Sequence, residues 1–181
     1  MTSVALMKET EVKILEVDRS KTEEALRRLG ATKVFDGEIE TFFYDFSDRA
    51  IAKARNVMRL RREKDRIALT FKKILVSQGA KVAEEYSVEV SDLEGAKRIL
   101  ESLGLSVVES LQKHRISYAL EKAHFDFDKY VGKYSHIPEF LEIEAENIKA
   151  IYKYADLFGF AAKDCLPWST EDLIRHYSIT K

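Results

Sequence analysis

Six stretches of the chain alternate between ionised and mostly apolar side chains: Glu9-Thr10-Glu11-Val12-Lys13-Ile14, Met58-Arg59-Leu60-Arg61, Leu69-Thr70-Phe71-Lys72, Lys113-His114-Arg115-Ile116, Phe125-Asp126-Phe127-Asp128 and Leu141-Glu142-Ile143-Glu144-Ala145-Glu146. Successive side chains on a strand point to opposite faces, so each stretch has one charged face and one greasy face. The pattern predicts eight strands, at about 9–17, 39–46, 56–63, 66–74, 84–90, 111–120, 123–128 and 139–146. Apolar residues at helical spacing predict helices near 20–29, 91–103, 147–158 and 170–177. One such strand is ordinary surface. Several of them, carrying both signs and backed by apolar faces that helices can cover, imply an α+β closed barrel of eight strands. Its charges line the interior, and its apolar residues face outward under helices.

Two halves of the chain read alike. Glu11-Val12-Lys13-Ile14…Leu29-Gly30 is matched at the same offset by Glu85-Tyr86-Ser87-Val88…Leu103-Gly104. Each is a strand, a cap, an amphipathic helix and a Leu-Gly stop, followed by three more strands. Ser20-Lys21-Thr22-Glu23 and Ser91-Asp92-Leu93-Glu94 are read as capping boxes, with Gly30 and Gly104 as left-handed helix stops. No linker or low-complexity tract divides the chain, so residues 1–181 are expected to form one domain.

Composition narrows the classes. Charged residues make up 34% of the 181, yet 30 Lys+Arg against 31 Asp+Glu leave a formal net charge of −1. That balance argues against general nucleic-acid binding, which shows a basic excess. No apolar run reaches the ~18 residues of a membrane span, and the first residues lack a signal-peptide layout. A cytoplasmic protein with no membrane association is the expectation, with Met7 as a candidate start and residues 1–6 as a frayed extension. The single Cys165 permits no intrachain disulfide and no zinc framework, and reads as a structural thiol.

The charged faces carry the chemistry. Glu9, Glu11 and Lys13 share a face, and two like-signed neighbours favour a cation between them; oxygen donors suit Mg2+ or Mn2+. Arg59 and Arg61 share a face and present planar forks matched to phosphate oxygens. Lys72, Lys113 and Arg115 follow on other strands. If the sheet closes, Lys13, Arg59, Arg61, Lys72, Lys113 and Arg115 converge, and a polyphosphate is their natural counter-charge. Glu85, Asp126, Asp128, Glu142 and Glu144 enter the same interior. His114 is read as structural, pointing outward under a helix. Trp168 is read as packing. The register of Thr41–Phe46 is ambiguous.

At these residues the chain resembles the CYTH superfamily, the triphosphate tunnel metalloenzymes. Glu9-x-Glu11-x-Lys13 matches the signature ExExK, and Arg59-x-Arg61, Lys72, Glu85, Lys113-x-Arg115, the Asp128 strand and Glu142-Ile143-Glu144 follow in the family's order and spacing. The resemblance implies an antiparallel eight-stranded tunnel that binds a triphosphate-containing small molecule and one or two divalent ions, Mg2+ or Mn2+. It implies catalytic roles for Glu9, Glu11 and Lys13. It implies substrate contacts from Lys13, Arg59, Arg61, Lys72, Glu85, Lys113 and Arg115, and metal ligation by Glu9, Glu11, Asp128, Glu142 and Glu144, with the choice between Asp126 and Asp128 open. Triphosphate hydrolysis is favoured on mechanistic economy. Class IV adenylate cyclase chemistry, yielding cyclic AMP and pyrophosphate from ATP, is the alternative, and a non-catalytic polyphosphate- or nucleotide-binding module is the rival from another class. A homodimer is admitted but not read from the residues.

Overall fold

A computed structural model describes residues 7–75 and 79–179, so the frayed extension expected for 1–6 lies outside the described residues. Eight strands close into an antiparallel barrel: β1 (Met7–Leu15), β2 (Thr32–Asp45), β3 (Asn56–Glu63), β4 (Arg66–Leu75), β5 (Lys81–Glu89), β6 (Ser106–Leu120), β7 (Ala123–Tyr130) and β8 (Phe140–Glu144). Around the barrel they run β1-β5-β4-β3-β2-β6-β7-β8. That order maps onto itself when β1–β4 are exchanged with β5–β8.

Five α-helices are described: α1 (Arg19–Arg28), α2 (Ala50–Lys53), α3 (Leu93–Ser102), α4 (Ile148–Leu157) and α5 (Thr170–Ile179). The starts of α1 and α3 differ from the capping boxes expected at Ser20 and Ser91. Asp18 caps α1 by accepting from the Lys21 amide, and Asp92 caps α3 by accepting from the Gly95 amide. A carboxylate is the stronger partner for first-turn amides because it also meets the positive end of the helix. Gly30 and Gly104 do adopt the left-handed conformation, at φ 84° and 87°. The short α2 was not expected. It has no sequence period to read, and is held by the buried Asp45 carboxylate, which accepts from the amides of Phe46, Ile51 and Ala52.

The apolar backs of the strands are buried as the alternation requires. Val12, Ile14, Phe125, Phe127, Leu141 and Ile143 form one core with Leu26 of α1 and Ile151, Tyr154 and Ala155 of α4, and Cys165 is buried beside them. Full burial of each large side chain contributes about 1.5–3 kcal/mol. Leu93, Ala96 and Leu100 of α3 pack on Tyr44 and Leu60 in a second core. A third cluster sits differently. Leu111, Tyr130 and Phe140 occupy the same strand faces as Lys113 and Asp128, and α5 lies over them through Leu173. Apolar packing thus takes over from charge on these strand faces beside α5, with Trp168 packed against the cluster.

His114 does not lie under a helix. It is 38% exposed and meets Asp36 at 3.1 Å. Its outward direction follows from the alternation; the covering helix does not, because the outer face there is open.

Candidate active site

The charged faces of the strands border a cavity of about 700 Å³. Of the residues named from the sequence, Glu9, Glu11, Lys13, Arg59, Arg61, Lys72, Lys113, Arg115, Glu142 and Glu144 line it. Register accounts for the convergence. Glu11 stands opposite Glu144 and Lys13 opposite Glu142, while Asp126 stands opposite Glu142 on the next strand. On the far side Lys72 stands opposite Glu85.

Two of the named residues are not lining. Asp128 is wholly buried, and each of its oxygens is held: Oδ1 accepts from Arg115 Nε at 2.7 Å, and Oδ2 from Arg115 Nη2 and Lys113 Nζ, both at 2.5 Å. Glu85 lies behind Lys72, whose ammonium is 2.6 Å away, with Arg59 at 3.8 Å. Asp126, left open against Asp128 in the sequence, does line the cavity and pairs with Arg115.

The two sides of the cavity are not equally neutralised. Arg115 meets Asp126, Asp128 and Glu142, and Lys13 meets Glu142 at 2.7 Å. Burial would raise the Glu142 carboxyl, but Lys13, Lys113 and Arg115 outweigh it and hold the group well below the usual range. Arg59 and Arg61 are different. The Nε of each is buried and has no hydrogen-bond partner among the described residues. Burial, and then repulsion from Arg61, lower Arg59 to about 10. Arg61 Nη1 donates to Glu63 at 3.2 Å and Arg59 has only the more distant Glu85 at 3.8 Å; a buried donor left unpaired costs roughly 1–3 kcal/mol, more when charged, so the two Nε groups are poised for an anion.

The carboxylates show the converse excess. Burial, and then the negative charges of Glu9 and Glu11, raise Glu144 to about 8, and it has no ion-pair partner among the described residues. Glu9 is likewise raised, by burial first, although Lys72 pairs with it. Glu11 is held by Lys81 at 2.8 Å. Among the described residues, no three carboxyl, imidazole or thiol groups converge as a ready-made metal cage; Lys72, Lys81 and Lys13 pair with Glu9, Glu11 and Glu142. The donor set itself, oxygen only and with Glu144 crowded by Glu9 and Glu11, fits a hard divalent cation that displaces the Glu144 proton once those lysines turn toward another anion.

Lys81 was missed from the sequence because the strand was expected to begin at 84. It begins at Lys81, directly opposite Glu11. The signal was present: Lys81-x-Ala83-x-Glu85 continues the inward alternation. Phe43 also lines the cavity. In a run of three aromatics, only the pairing of Phe43 with Arg59 settles which face it takes.

A model of the CYTH domain matches residues 7–151. The chain belongs to the CYTH family. It is 28% identical over 138 residues to a protein described as a putative adenylate cyclase from Methanocaldococcus jannaschii, covering 76% of this chain and 77% of that protein. Its fold matches the PH1012 protein of Pyrococcus horikoshii OT3 with a TM-score of 0.75 at 24% identity, over 91% of this chain and 98% of that one. It also matches a putative adenylyl cyclase from Hippeastrum, described as revealing a dominant triphosphatase activity. There the TM-score is 0.64 at 16% identity, over 93% and 96% of the two chains.

Proposed function

We propose that this protein is a divalent-metal-dependent enzyme that hydrolyses a triphosphate bound inside the barrel. The observation that carries the reading is the pairing of opposite features in one cavity: buried guanidinium Nε donors of Arg59 and Arg61 on β3 with no hydrogen-bond partner among the described residues, and on β8 the Glu144 carboxyl, crowded by Glu9 and Glu11 and with no ion-pair partner among the described residues. A triphosphate supplies the guanidiniums with acceptors, and its bound cation would take the place of the Glu144 proton. Arg59 and Arg61 hold phosphate oxygens, and Lys72, Lys113 and Lys13 add positive charge where negative charge develops. Asp128 fixes the direction of Arg115 and Lys113 from behind. Glu85 does the same for Lys72.

Glu9, Glu11, Glu142, Glu144 and Asp126 would hold Mg2+ or Mn2+, with Asp128 orienting cations rather than offering a free oxygen. When bound, such an ion screens phosphate charge and acidifies a water. The chain's own contribution is placement: the lysines that pair with Glu9, Glu11 and Glu142 release them as the phosphates arrive, and α5 packs beside the cavity through Leu173.

Cyclisation of ATP is the second reading, favoured by the description of the Methanocaldococcus jannaschii relative. Hydrolysis is supported by the activity described for the Hippeastrum protein. Incubation with ATP, thiamine triphosphate and tripolyphosphate in Mg2+ or Mn2+, with product analysis, separates the two. Free phosphate or a diphosphate supports hydrolysis, and cyclic AMP with pyrophosphate supports cyclisation. Absence of both turnover and binding ends both. Among the described residues no helix is long and apolar enough to cross a membrane, and a cytoplasmic location is part of this proposal.

A further inference from the structure

Three lysines pair with carboxylates of the cavity, and they are not equivalent. Lys72 pairs with Glu9 and also with Glu85 behind it, at 2.6 Å. Lys13 lies between Glu142 at 2.7 Å and Glu11 at 3.6 Å. Each of these two has a second carboxylate to hold. Lys81 has none. Its ammonium donates to Glu11 Oε1 at 2.8 Å, and Glu11 is its one ion-pair partner among the described residues. Its side chain is also the most open of the three, 17% exposed against 7% for Lys72 and 2% for Lys13, and it lines the cavity.

Register explains the placement. Across β5, β1 and β8, Lys81, Glu11 and Glu144 stand in one row, each directly opposite the next. Directly opposed residues of an antiparallel pair turn their side chains to the same face, with β-carbons about 5 Å apart. Glu11 therefore has an ammonium on one side. On the other it has the Glu144 carboxyl, which has no ion-pair partner among the described residues. The place where a divalent ion would bridge Glu11 and Glu144 already has a tethered cation beside it. An ammonium on Glu11 weakens a metal at the same carboxylate, by repulsion and by holding one of its two oxygens. With no other carboxylate to turn to, Lys81 leaves Glu11 only for an anion that enters the cavity.

We propose that Lys81 is a built-in competitor of the metal, standing on Glu11 until a polyphosphate draws it away. Divalent-ion binding then depends on the phosphate chain, and the metal raises polyphosphate affinity by the same factor, because coupling between two ligands is reciprocal. Lys81 acts on the metal through Glu11 and is a positioning residue. The inference rests on the triphosphate reading above and adds to it an order of assembly, phosphates before metal.

The test is titration of Mn2+ into the full chain without any phosphate, with free Mn2+ followed by electron paramagnetic resonance. Imidotriphosphate, a tripolyphosphate with hydrolysis-resistant bridges, is then titrated by calorimetry in EDTA and in Mn2+ to close the cycle. The wild type is compared with Lys81→Met and Lys81→Gln, which remove the charge, and with Lys81→Arg, which keeps it. Lys73→Met is the control, since Lys73 meets Glu84 at 3.7 Å and is 57% exposed. A thermal melt confirms that each variant is folded. In the neutral Lys81 variants, phosphate-free Mn2+ binding should tighten about tenfold, within the usual span of coupling between sites. The factor by which imidotriphosphate raises Mn2+ affinity should fall to match. Lys81→Arg and Lys73→Met should behave as the wild type. Unchanged or unmeasurable phosphate-free Mn2+ binding in the neutral variants, with imidotriphosphate still bound, overturns the role of Lys81 and leaves the triphosphate reading standing. An equal gain in Lys73→Met does the same, since it marks a general effect of net charge. Failure of the wild type to bind imidotriphosphate, with or without Mn2+, removes the triphosphate reading and this inference with it.

Discussion

Arg115 grips Asp128 with two donors, Nε to Oδ1 at 2.7 Å and Nη2 to Oδ2 at 2.5 Å, and Asp128 is entirely shielded from solvent. The fork fixes the guanidinium plane, and a buried carboxylate in this position serves the cations around it. Removing one partner of a buried pair leaves the other charged and unpaired. Asp128→Ala is therefore expected to cost about 3–5 kcal/mol of stability, read as a fall in the denaturant midpoint, and to reduce triphosphate affinity through misplaced Arg115 and Lys113. A variant as stable as the wild type would show that the pair carries no such weight.

Arg59 presents the opposite situation. Its Nε lacks a hydrogen-bond partner among the described residues, and Arg61 repels it. Arg59→Ala should lower triphosphate affinity by about ten- to a hundredfold, the loss of a charged hydrogen bond worth roughly 1.5–3 kcal/mol. The melting temperature should change little, because the variant also removes repulsion. Titration calorimetry beside a melt checks both halves. A large loss of stability with unaltered affinity would reverse the assignment.

Glu144 predicts a pH signature. Its carboxyl rises from an ordinary value of 4.5 to about 8, through burial and the nearby Glu9 and Glu11. Between those values the folded chain holds a proton that the unfolded chain has released. Stability of the metal-free protein should then fall as pH rises from about 5 to 8. Added Mg2+ should oppose that fall, with an affinity that increases over the same window as the proton leaves. Glu144→Gln should flatten both trends. Melting curves across pH, with and without Mg2+, measure them, and a metal-free profile that rises toward pH 8 in step with the variant's would contradict the assignment.

Leu173 anchors α5 to the barrel end and is completely buried against a cluster that includes Leu111 and Phe140. Leu173→Ala should cost about 2–5 kcal/mol for a side chain so enclosed. Amide exchange should quicken first in α5 rather than in the barrel strands. Equal acceleration throughout would mean that α5 does not open on its own.

The strands and the identity of most lining residues were legible along the chain because period-two alternation is local. Whatever closes the sheet, Arg59 and Arg61 must share a face, as must Glu142 and Glu144. Helix stops at Gly30 and Gly104 were legible for the same reason, since backbone sterics act on one residue. The caps were less so: Asp18 and Ser20 are both competent, and the choice depends on where the chain leaves β1.

What alternation cannot supply is depth and partnership. Asp126 and Asp128 sit on one face of one strand, so no sequence pattern separates them. Only the barrel's register brings Arg115 across Asp128 and buries it, while Asp126 reaches the cavity. In the same way Phe43, Val57 and Ile74 alternate like core residues, and it takes closure of the sheet to place them in the cavity wall beside the arginines. The chain by itself determined which side chains share a face, because two successive peptide units turn the backbone over. Tertiary structure decided which faces meet, which charges neutralise one another and which are left for a ligand, because those depend on strand order and stagger, set by contacts between residues far apart in sequence.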